Sequence, residues 1–375
     1  MIDEKANPRS QSVHRASASR VFDLGDSGKD DQPASGTIVS AVVPNFNGKA
    51  VLEACLNSLQ NVKSFVDGLE IIVVDNGSSD GSRELVLRDF KSVKMVPLGM
   101  NEGFAAAVNV GVRASRGEFV AILNNDVEVA TDWLVHLMNT LRNDESVAAA
   151  TGKLLFKHEP KIVNDLGGTV LLSGSGFQRG LGTLDREMGK TTFVGVPTGA
   201  ACLVRRKDFL ETGGFDNSYF AYFEDVDLGW RLWQRGRKVA HVPLAVAYHE
   251  WRSTARRLGI EFRAYHGAKN SFANFVKNGQ ARYLPEAATL WMLRLLIQSI
   301  RCIEFGEAMA ILAMLRAIAW CAGNLKRLLA SRRRIQRRRT VSDAELVRLG
   351  VVGSLREFLT EAVRVSSIKR LAYQV

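Results

Sequence analysis

The chain has 375 residues, 46% of them hydrophobic, and a formal net charge of +11. This length and apolar content supply the core of one large domain with an appendage, or of two ordinary domains, and exclude a disordered chain. The positive charge is local, since residues 326–339 hold eight basic residues and no acid. The four cysteines are far apart with no CxxC or Cys/His spacing, so we expect neither disulfides nor structural zinc.

Residues 1–36 are rich in Ser, Asp and Lys and contain almost no apolar run. They lack the basic, apolar and small-residue order of a secretory signal, so we expect a disordered tail and a cytoplasmic protein. No apolar run reaches the roughly 20 residues that a membrane-spanning helix needs. The best candidate, residues 290–323, is interrupted by charged residues.

Short apolar runs alternate with segments of helical periodicity in the first third of the chain. The runs predict strands over 37–44, 70–75, 94–97 and 118–123, and the periodic segments predict helices over 52–59, 82–90 and 101–115. This alternation favours a parallel sheet with right-handed crossovers. Further strands are predicted over 146–156 and 194–205, and the glycine-rich segment 167–189 between them is predicted to be a mobile active-site loop.

Polar residues follow the predicted strands at the points where those strands end. Asn45 and Asn47 follow the first strand, Asp75 and Asn76 the second, and residues 124–126 the fourth. Ligands of such sheets bind beyond the carboxyl ends of the strands. The first strand leads into PNFNG rather than GxGxxG, which argues against a dehydrogenase-type dinucleotide fold.

An aromatic segment, YFAYFEDVDLGW at residues 219–230, contains Glu224, Asp225 and Asp227. One interpretation is a helix N-terminus, where carboxylates balance the helix dipole. The other is an active site, favoured by a second acidic position about a hundred residues upstream, Asp126, at the end of an apolar strand. Two acidic positions at the ends of predicted elements indicate a single active site.

Each candidate residue has a structural alternative. Asp75 is suited to accept from a pyrimidine imide N–H or to close its own turn. Asp126 and Glu128 share one face of an extended segment and could both approach a divalent cation, to which Asn124 and Asn125 could add neutral oxygens.

His249 ends an apolar stretch, where it serves as a metal ligand or as a hydrogen-bonded structural residue. Arg252, Ser253, Arg256 and Arg257 follow it and either reach a diphosphate or form a solvated loop.

Taken in order, five segments resemble glycosyltransferase family 2, the inverting enzymes of the GT-A fold, and in particular its rhamnosyltransferase-like members. The segments are VVPNFNG (42–48), IIVVDNGSSDGS (71–82), NEGFAAAVNVGVRASRGEFVAILNNDVEV (101–129), TGAACLVRR (198–206) and GGFDNSYFAYFEDVDLGWRL (213–232). The resemblance implies an α/β fold with a Rossmann-like, mostly parallel central sheet and a helical carboxyl-terminal extension.

The resemblance also implies roles for individual residues. Asp75 corresponds to the nucleobase-binding acid, and residues 124–126 correspond to the DxD metal motif, of which only Asp126 keeps a carboxylate. Mg²⁺ or Mn²⁺ would bind Asp126 with His249, and Asp225 of the pair Glu224–Asp225 would be the general base. The implied nucleotide-sugar site consists of Pro44, Asn45, Asn47, Asp75, Asn76, Asn101, Gly103, Phe104, Asn124 and Asn125.

Residues 284–329 predict two apolar helices, the first with Arg294, Gln298, Arg301 and Glu304 on one face. With the basic run behind them, these helices either lie on an anionic membrane surface or pack on the catalytic domain or a dimer partner. The expected organisation is a tail (1–36), a GT-A catalytic domain (37–282), an amphipathic basic membrane-associating region (283–340) and a helical tail (341–375).

The expected function is inverting transfer of a sugar, L-rhamnose from dTDP-rhamnose, to a lipid-linked or polysaccharide acceptor in cell-envelope glycan synthesis. The expected location is the cytoplasm, at the inner face of the cell membrane. The alternatives are a UDP- or GDP-sugar donor, or a non-catalytic basic scaffold that binds nucleic acid or membrane. The scaffold interpretation leaves the acidic positions at the sheet edge unexplained.

Overall fold

A computed structural model describes residues 38–186, 190–250, 259–353, 355 and 357–360. The predicted tail 1–36 and the basic segment with Arg252, Ser253, Arg256 and Arg257 lie outside these residues.

The strands are β1 (Val39–Asn45), β2 (Leu69–Asp75), β3 (Lys94–Pro97), β4 (Phe119–Leu123), β5 (Val127–Val129), β6 (Val147–Phe156), β7 (Glu159–Asp165), β8 (Gly168–Leu171), β9 (Gly176–Gln178), β10 (Thr192–Phe193), β11 (Ala201–Arg205), β12 (Lys238–His249) and β13 (Val352–Gly353). The α-helices are α1 (Lys49–Lys63), α2 (Ser82–Asp89), α3 (Phe104–Ala114), α4 (Trp133–Asn143), α5 (Arg206–Glu211), α6 (Glu224–Gln234), α7 (Gly259–Asn278), α8 (Leu284–Glu304), α9 (Ala308–Gly323), α10 (Leu325–Arg337) and α11 (Asp343–Arg348).

The first half of the main sheet is parallel, as the alternation of strands and helices predicts. Its strands lie in the order β3-β2-β1-β4, and each neighbouring pair is parallel. Successive residues of β1 enter different cores, because Val42 joins the apolar cluster that includes α3, whereas Ala41 and Val43 join the cluster that includes α1 and α4. Helices therefore cover both faces, which is why these strands appear in the sequence as continuous apolar runs.

Beyond β4 the sheet is mixed, which corrects the prediction of a mostly parallel sheet. β11 lies between β4 and β6 and is antiparallel to both, with Ala201 opposite Leu123. The described residues between β6 and β11 contain strands and loops but no helix, and parallel neighbours need a crossover. β11 is also shorter than the predicted strand 194–205, so residues 194–200 form a loop at the edge where β1 and β4 end.

The first part of the glycine-rich segment, residues 167–175, is a buried wall of the domain, which corrects the prediction of a mobile loop for these residues. β8 and β9 pair within it, β13 adds a third strand, and residues 167–175 are buried. Gly174 has a φ of +80°, and a Cβ there would lie 1.9 Å from the carbonyl oxygen of Ser271 on α7. Glycine at this position permits a close approach between a turn and a helix. The glycine content thus reflects tight packing.

Three carboxyl-terminal helices pack on α7. Trp291 of α8 donates its indole N–H to the Ala268 carbonyl at 3.2 Å, and Arg332 of α10 donates to the Val276 carbonyl at 2.8 Å. Arg294, predicted on a polar face with Gln298, Arg301 and Glu304, instead donates to Ser271 Oγ at 3.1 Å. The exposed side of α8 and α9 is largely apolar and, together with Phe305 between them, forms what we call the apolar face: Met292, Leu293, Leu296, Ile300, Ile303, Phe305, Met309, Leu312, Leu315 and Ile318.

Within the described part of the chain, no helix taken alone has both the length and the apolar character to cross a bilayer. The pair Ala308–Gly323 and Leu325–Arg337 meets those criteria jointly, with a bend of 65° between its members.

The predicted helical tail 341–375 is described only in part. Asp343–Arg348 is helical, whereas Val352–Gly353 is a strand that pairs with β8. Trp230 of α6 donates to Asp343 Oδ1 at 3.2 Å, so this part of the tail is attached to the domain.

Candidate active site

A cavity of about 510 Å³ opens where β1, β4 and β12 end and β11 begins. Its volume is within the range of small-molecule sites. Its lining includes residues from both halves of the sheet and from the start of α6. Twelve of the predicted site residues line it: Pro44, Asn45, Asn76, Asn101, Gly103, Phe104, Asn124, Asn125, Asp126, Glu224, Asp225 and His249.

The two other predicted residues, Asn47 and Asp75, are outside this lining and contact the loop that follows β2. Asn47 Oδ1 accepts from the Ser79 N–H at 2.8 Å, and Asp75 Oδ1 accepts from the Ser78 N–H at 3.3 Å. For Asp75 this contact closes the turn, which is one of the two interpretations that the sequence allowed. Its role as a nucleobase acceptor stays a prediction.

Asparagine side chains join the loops at the sheet edge. Asn125 donates to Asn45 Oδ1 at 2.7 Å, and Asn45 donates to Ser82 Oγ at 2.9 Å. Asn76 donates to Asn101 Oδ1 at 2.9 Å and accepts from the Glu102 N–H at 2.9 Å. Buried amides satisfied in this way fix the loops that carry them. The cavity wall on this side is therefore preorganised.

Asp126 and His249 lie together although more than a hundred residues separate them. Antiparallel pairing of β5 with β12 sets His249 opposite Val127, and His249 Nε2 is 3.2 Å from Asp126 Oδ1. The other ring nitrogen, Nδ1, is 2.9 Å from Asn164 Oδ1, and all three residues are buried. A second hydrogen bond of this kind orients an imidazole that serves as a metal ligand.

The donor chemistry of this pair fits a divalent cation. A carboxylate oxygen suits Mg²⁺ or Mn²⁺, and an imidazole nitrogen is compatible with Mn²⁺. Across the ranges that the structure covers, no group of three or more His, Cys, Asp or Glu side chains is placed to hold a metal ion. The pair would thus need ligands from a substrate or water. Glu128 is committed elsewhere, since its Oε1 lies 2.5 Å from Lys157 Nζ.

Glu224 and Asp225 form the first turn of α6, as the helix interpretation predicts, and they also line the cavity. Their role in an active site stays a prediction. Phe223 precedes the helix with a φ of +66°. Asp225 Oδ1 accepts from the Val226 N–H at 2.8 Å, and Oδ2 accepts from the Gly199 N–H at 3.2 Å. A Cβ at Gly199 would lie 3.0 Å from Asp225 Oδ2, so a larger residue there would crowd this carboxylate.

The electrostatic environment of the pair favours protonation. Burial, and then the charge of Asp225, raises the pKa of Glu224 to about 8. Burial also raises the pKa of Asp225, against the opposing effect of the N–H groups of Val226 and Gly199. Two adjacent buried carboxyls share protons as a pair, and such perturbed groups in a cleft mark a functional site.

Helix α7 fixes the backbone that leads into this pair. Tyr222 and Phe223 both have positive φ, of +71° and +66°. Asn270 donates to the Tyr222 carbonyl at 2.7 Å, and Asn274 donates to the Phe223 carbonyl at 3.2 Å. Left-handed backbone in non-glycine residues costs on the order of 1 kcal/mol or more and persists where its surroundings hold it. These asparagines supply that support.

The sequence interpretation missed Asp165, which ends β7 and lines the cavity. Its carboxyl is buried and accepts from Gln178 Nε2 at 3.0 Å. Burial raises its pKa to about 7, and the charge of Asp225 contributes to the increase. A signal existed, because KIVND ends an apolar run in Asn-Asp much as AILNND does at Asp126.

Comparison with known proteins agrees with this geometry. Residues 40–212 match the family model described as glycosyl transferase family 2. The match covers a little less than half of the chain and indicates similarity to this family. The matched residues include the strands β1, β2 and β4, whose ends form one side of the cavity.

Two relatives of this glycosyltransferase domain indicate where it stands in the family. An N-acetylglucosaminyl-diphospho-decaprenol L-rhamnosyltransferase from Mycobacterium tuberculosis is 29% identical over 251 residues, which cover 60% of this chain and 80% of the relative. A poly-beta-1,6-N-acetyl-D-glucosamine synthase from Staphylococcus aureus is 24% identical over 216 residues, which cover 55% of this chain and 50% of that protein.

The fold of the glycosyltransferase domain is also found in a solved structure. A mannosyltransferase from Pyrobaculum calidifontis, solved with GDP-Man and Mn²⁺, superposes with a TM-score of 0.50 at 20% identity. The superposition covers 78% of this chain and 77% of the other. The chain thus has the GT-A fold, with the mixed sheet and the carboxyl-terminal helices described above.

Proposed function

We propose that this glycosyltransferase transfers L-rhamnose from dTDP-rhamnose, with inversion, to a hydroxyl of a lipid-linked or polysaccharide acceptor. The observation that carries the proposal is that one cavity brings the acidic pair Glu224–Asp225 together with the pair Asp126–His249. Similarity to the Mycobacterium tuberculosis L-rhamnosyltransferase supports the choice of sugar. A UDP- or GDP-sugar donor is the alternative.

Asp126 and His249 are the residues that would hold Mg²⁺ or Mn²⁺, which when bound offsets the negative charge that develops on a leaving diphosphate. The buried asparagines at the opposite wall keep the strand-end loops in place around the donor. Asn164 orients the His249 ring from outside the cavity.

Asp225 is the proposed general base. Its two N–H donors, from Val226 and Gly199, hold the carboxylate at the start of α6 while leaving lone pairs for a substrate hydroxyl. Removal of the acceptor's proton by Asp225 lets the oxygen attack the anomeric carbon on the face opposite the leaving group. Proton transfer by a positioned side chain accelerates such a reaction by a factor of about 10² to 10⁴. Glu224, with its raised pKa, stays protonated near neutrality and leaves the charge on Asp225.

Nucleotide binding tests the proposal directly. Calorimetric titration with dTDP, UDP and GDP, with and without Mn²⁺, should show metal-dependent binding of one nucleotide, with dTDP expected. Asp126→Ala should abolish the dependence on metal. Tightest binding of UDP or GDP would replace the proposed donor, and the absence of binding to all three would overturn the proposed activity.

The second element of the proposal is attachment to an anionic membrane through the apolar face. Ten large apolar side chains are exposed there, more than an isolated surface residue would explain. Arg333, Arg334 and Arg337 of α10 are exposed next to α9 along the chain, and each basic residue near an anionic surface contributes on the order of 1 kcal/mol. Arg332 and Arg339, by contrast, donate to backbone carbonyls of the domain.

Vesicle flotation with phosphatidylglycerol or phosphatidylcholine liposomes tests this attachment. Leu296→Glu with Ile300→Glu should weaken binding to the anionic vesicles at least tenfold, because both charges would enter the bilayer boundary. Leu244→Glu is the matched control, since Leu244 is 65% exposed but lies outside the apolar face. Unchanged vesicle binding would contradict the attachment, and dissociation of a dimer in the same variant would assign the face to a second copy of the chain.

A further inference from the structure

One wall of the cavity comes from the segment β7–β9, to whose individual side chains neither the sequence nor the family comparison gives a role. Asp165, Phe177 and Gln178 line the cavity from this wall. They provide a carboxyl, an aromatic ring and a carboxamide. The cavity therefore carries a third group of chemically specific side chains, distinct from the acidic pair and from Asp126–His249.

The polar members of this group are arranged with one another. Gln178 Nε2 donates to Asp165 Oδ2 at 3.0 Å. Asp165 Oδ1 meets the geometric criteria of a hydrogen bond with none of the described residues, although hydrogen bonding from the Gly167 N–H and the Thr198 hydroxyl lowers the pKa of this carboxyl. Asp165 is only 7% exposed. A buried carboxyl oxygen left without a partner costs free energy unless a ligand satisfies it.

The wall is rigid enough to act as a binding surface. Asn274 of α7 donates to the Gly174 carbonyl at 2.9 Å, and the Leu171 N–H donates to the Ser175 carbonyl at 2.8 Å. β9 is further tied to β8, with Phe177 opposite Thr169. Side chains on such a wall keep their positions without the entropy cost of ordering a loop.

The wall lies next to the proposed base. Residues 198 and 199 connect the two, because Thr198 interacts with the Asp165 carboxyl while the Gly199 N–H donates to Asp225 Oδ2. A ligand group at Asp165 would therefore be close to the reacting hydroxyl. A carboxyl beside a carboxamide offers acceptors and donors to neighbouring hydroxyls, and an aromatic ring offers an apolar surface to the C–H groups of a sugar ring.

From these contacts we infer that Asp165, Phe177 and Gln178 form a subsite for a pyranose ring, in which the carboxyl and the carboxamide bind adjacent ring hydroxyls. The inference rests on the proposed function. The ring belongs either to the sugar that is transferred or to the sugar that accepts it, and the two sources share this chemistry. Sites built to bind a hydroxyl discriminate strongly against ligands that cannot satisfy them.

The test compares Asp165→Asn, Gln178→Ala and the wild type in three assays: binding of dTDP, binding of dTDP-rhamnose, and transfer to N-acetylglucosaminyl-diphospho-polyprenol. Loss of at least tenfold in affinity for dTDP-rhamnose with unchanged affinity for dTDP would assign the subsite to the donor sugar. Unchanged affinity for both, with an acceptor KM raised at least tenfold, would assign it to the acceptor. The control is Asp132→Asn, at an exposed carboxylate that directly precedes α4 and lies outside the cavity.

Two results would overturn the inference: all three assays unchanged in both variants, or a loss of dTDP affinity as large as the loss of dTDP-rhamnose affinity. Gln178 is exposed, so its variant remains informative if Asp165→Asn fails to fold, which thermal unfolding would reveal. Failure of the wild type to bind any nucleotide or nucleotide sugar is a separate outcome. It would reject the proposed function and the subsite with it.

Discussion

The first turn of α6 has a cavity side and a core side, and their carboxyl groups are in opposite electrostatic states. Burial would raise the pKa of Asp227, but Arg231 and Lys277 outweigh it and lower that pKa. Asp227 Oδ1 lies 3.0 Å from Lys277 Nζ, and its Oδ2 lies 2.7 Å from Arg231. Glu224 and Asp225, at the cavity, have no such cation among the described groups that shift their pKa values, and both are raised.

The comparison shows that burial alone does not decide what a carboxyl does. Asp227 is fully buried and charged, and it holds α6 to α7 through cations and the Asn278 amide at 2.8 Å. The cavity pair is more accessible, since Glu224 is buried and Asp225 is half-buried, and it relies on N–H groups and on sharing a proton. A paired charge is structural, whereas an unpaired one is kept ready for a substrate.

The largest expected effect is at the cavity side. Asp225→Asn should lower the transfer rate by about 10² to 10⁴, because the amide cannot take the acceptor's proton. Donor binding measured by calorimetry should remain within a few-fold of the wild type. Turnover at the wild-type rate would refute the assignment of the base, and unchanged thermal unfolding would exclude misfolding as the cause.

A substitution on the core side should lower the stability of the protein and not the rate of transfer. Lys277→Met leaves Asp216 and Asp227 without their shared ammonium group, so the free energy of unfolding should fall by about 3 to 5 kcal/mol. Urea denaturation measures the loss. Lys207→Met, at an 85% exposed side chain, should change it by less than about 1 kcal/mol. A loss that small at Lys277 would mean that the network is not a structural ion cluster.

The proton on Glu224 gives the pair a pH signature. Its pKa in the folded chain is about 8 against an ordinary 4.5, so the folded state retains a proton that the unfolded chain releases. The wild type should therefore lose stability relative to Glu224→Gln as the pH rises from about 5 to about 8. Melting temperatures of the two proteins across this range should diverge. Parallel curves would show that Glu224 is ionised in the folded protein.

The smallest effect is expected at Glu128, which the sequence placed beside Asp126 as a second approach to a cation. Its ion pair with Lys157 is partly exposed, with side chains 33% and 39% accessible, so Glu128→Gln should change the free energy of unfolding by less than about 1 kcal/mol. Metal-dependent nucleotide binding should be unchanged. If Mn²⁺ strengthened nucleotide binding less in Glu128→Gln than in the wild type, Glu128 would be assigned to the metal site.

The part of the cavity that lies at the ends of the parallel strands could be predicted from the sequence, because polar residues follow those strands directly. The runs before Asn45, Asn76 and Asn124 could be assigned because a parallel sheet brings its carboxyl ends to one edge. The register of β5 with β12 could not be assigned, since antiparallel pairing of distant segments leaves no local pattern. The resemblance, rather than the spacing, connected His249 with Asp126.

The errors have physical causes in packing. Gly174 and its neighbours looked flexible, although the glycine serves to let a turn touch α7. Arg294 looked solvated, but it reaches Ser271 and its guanidinium lies 5.3 Å from the centroid of the Phe223 ring. Both residues contact α7, a helix whose position no local periodicity reveals. Asp165 was missed because β7 begins with exposed polar residues.

The asparagines of α7 have a consequence for how the enzyme is made. A ribosome completes residues 216–225 before it reaches Asn270 and Asn274, yet these two residues hold the left-handed backbone that orients the acidic pair. The nascent chain can form its parallel strands early, because domains begin to fold from their amino-terminal end. The turn that orients the acidic pair acquires its final shape only after α7 has left the ribosome. The proposed sugar transfer is therefore expected of the completed chain and not of the nascent one.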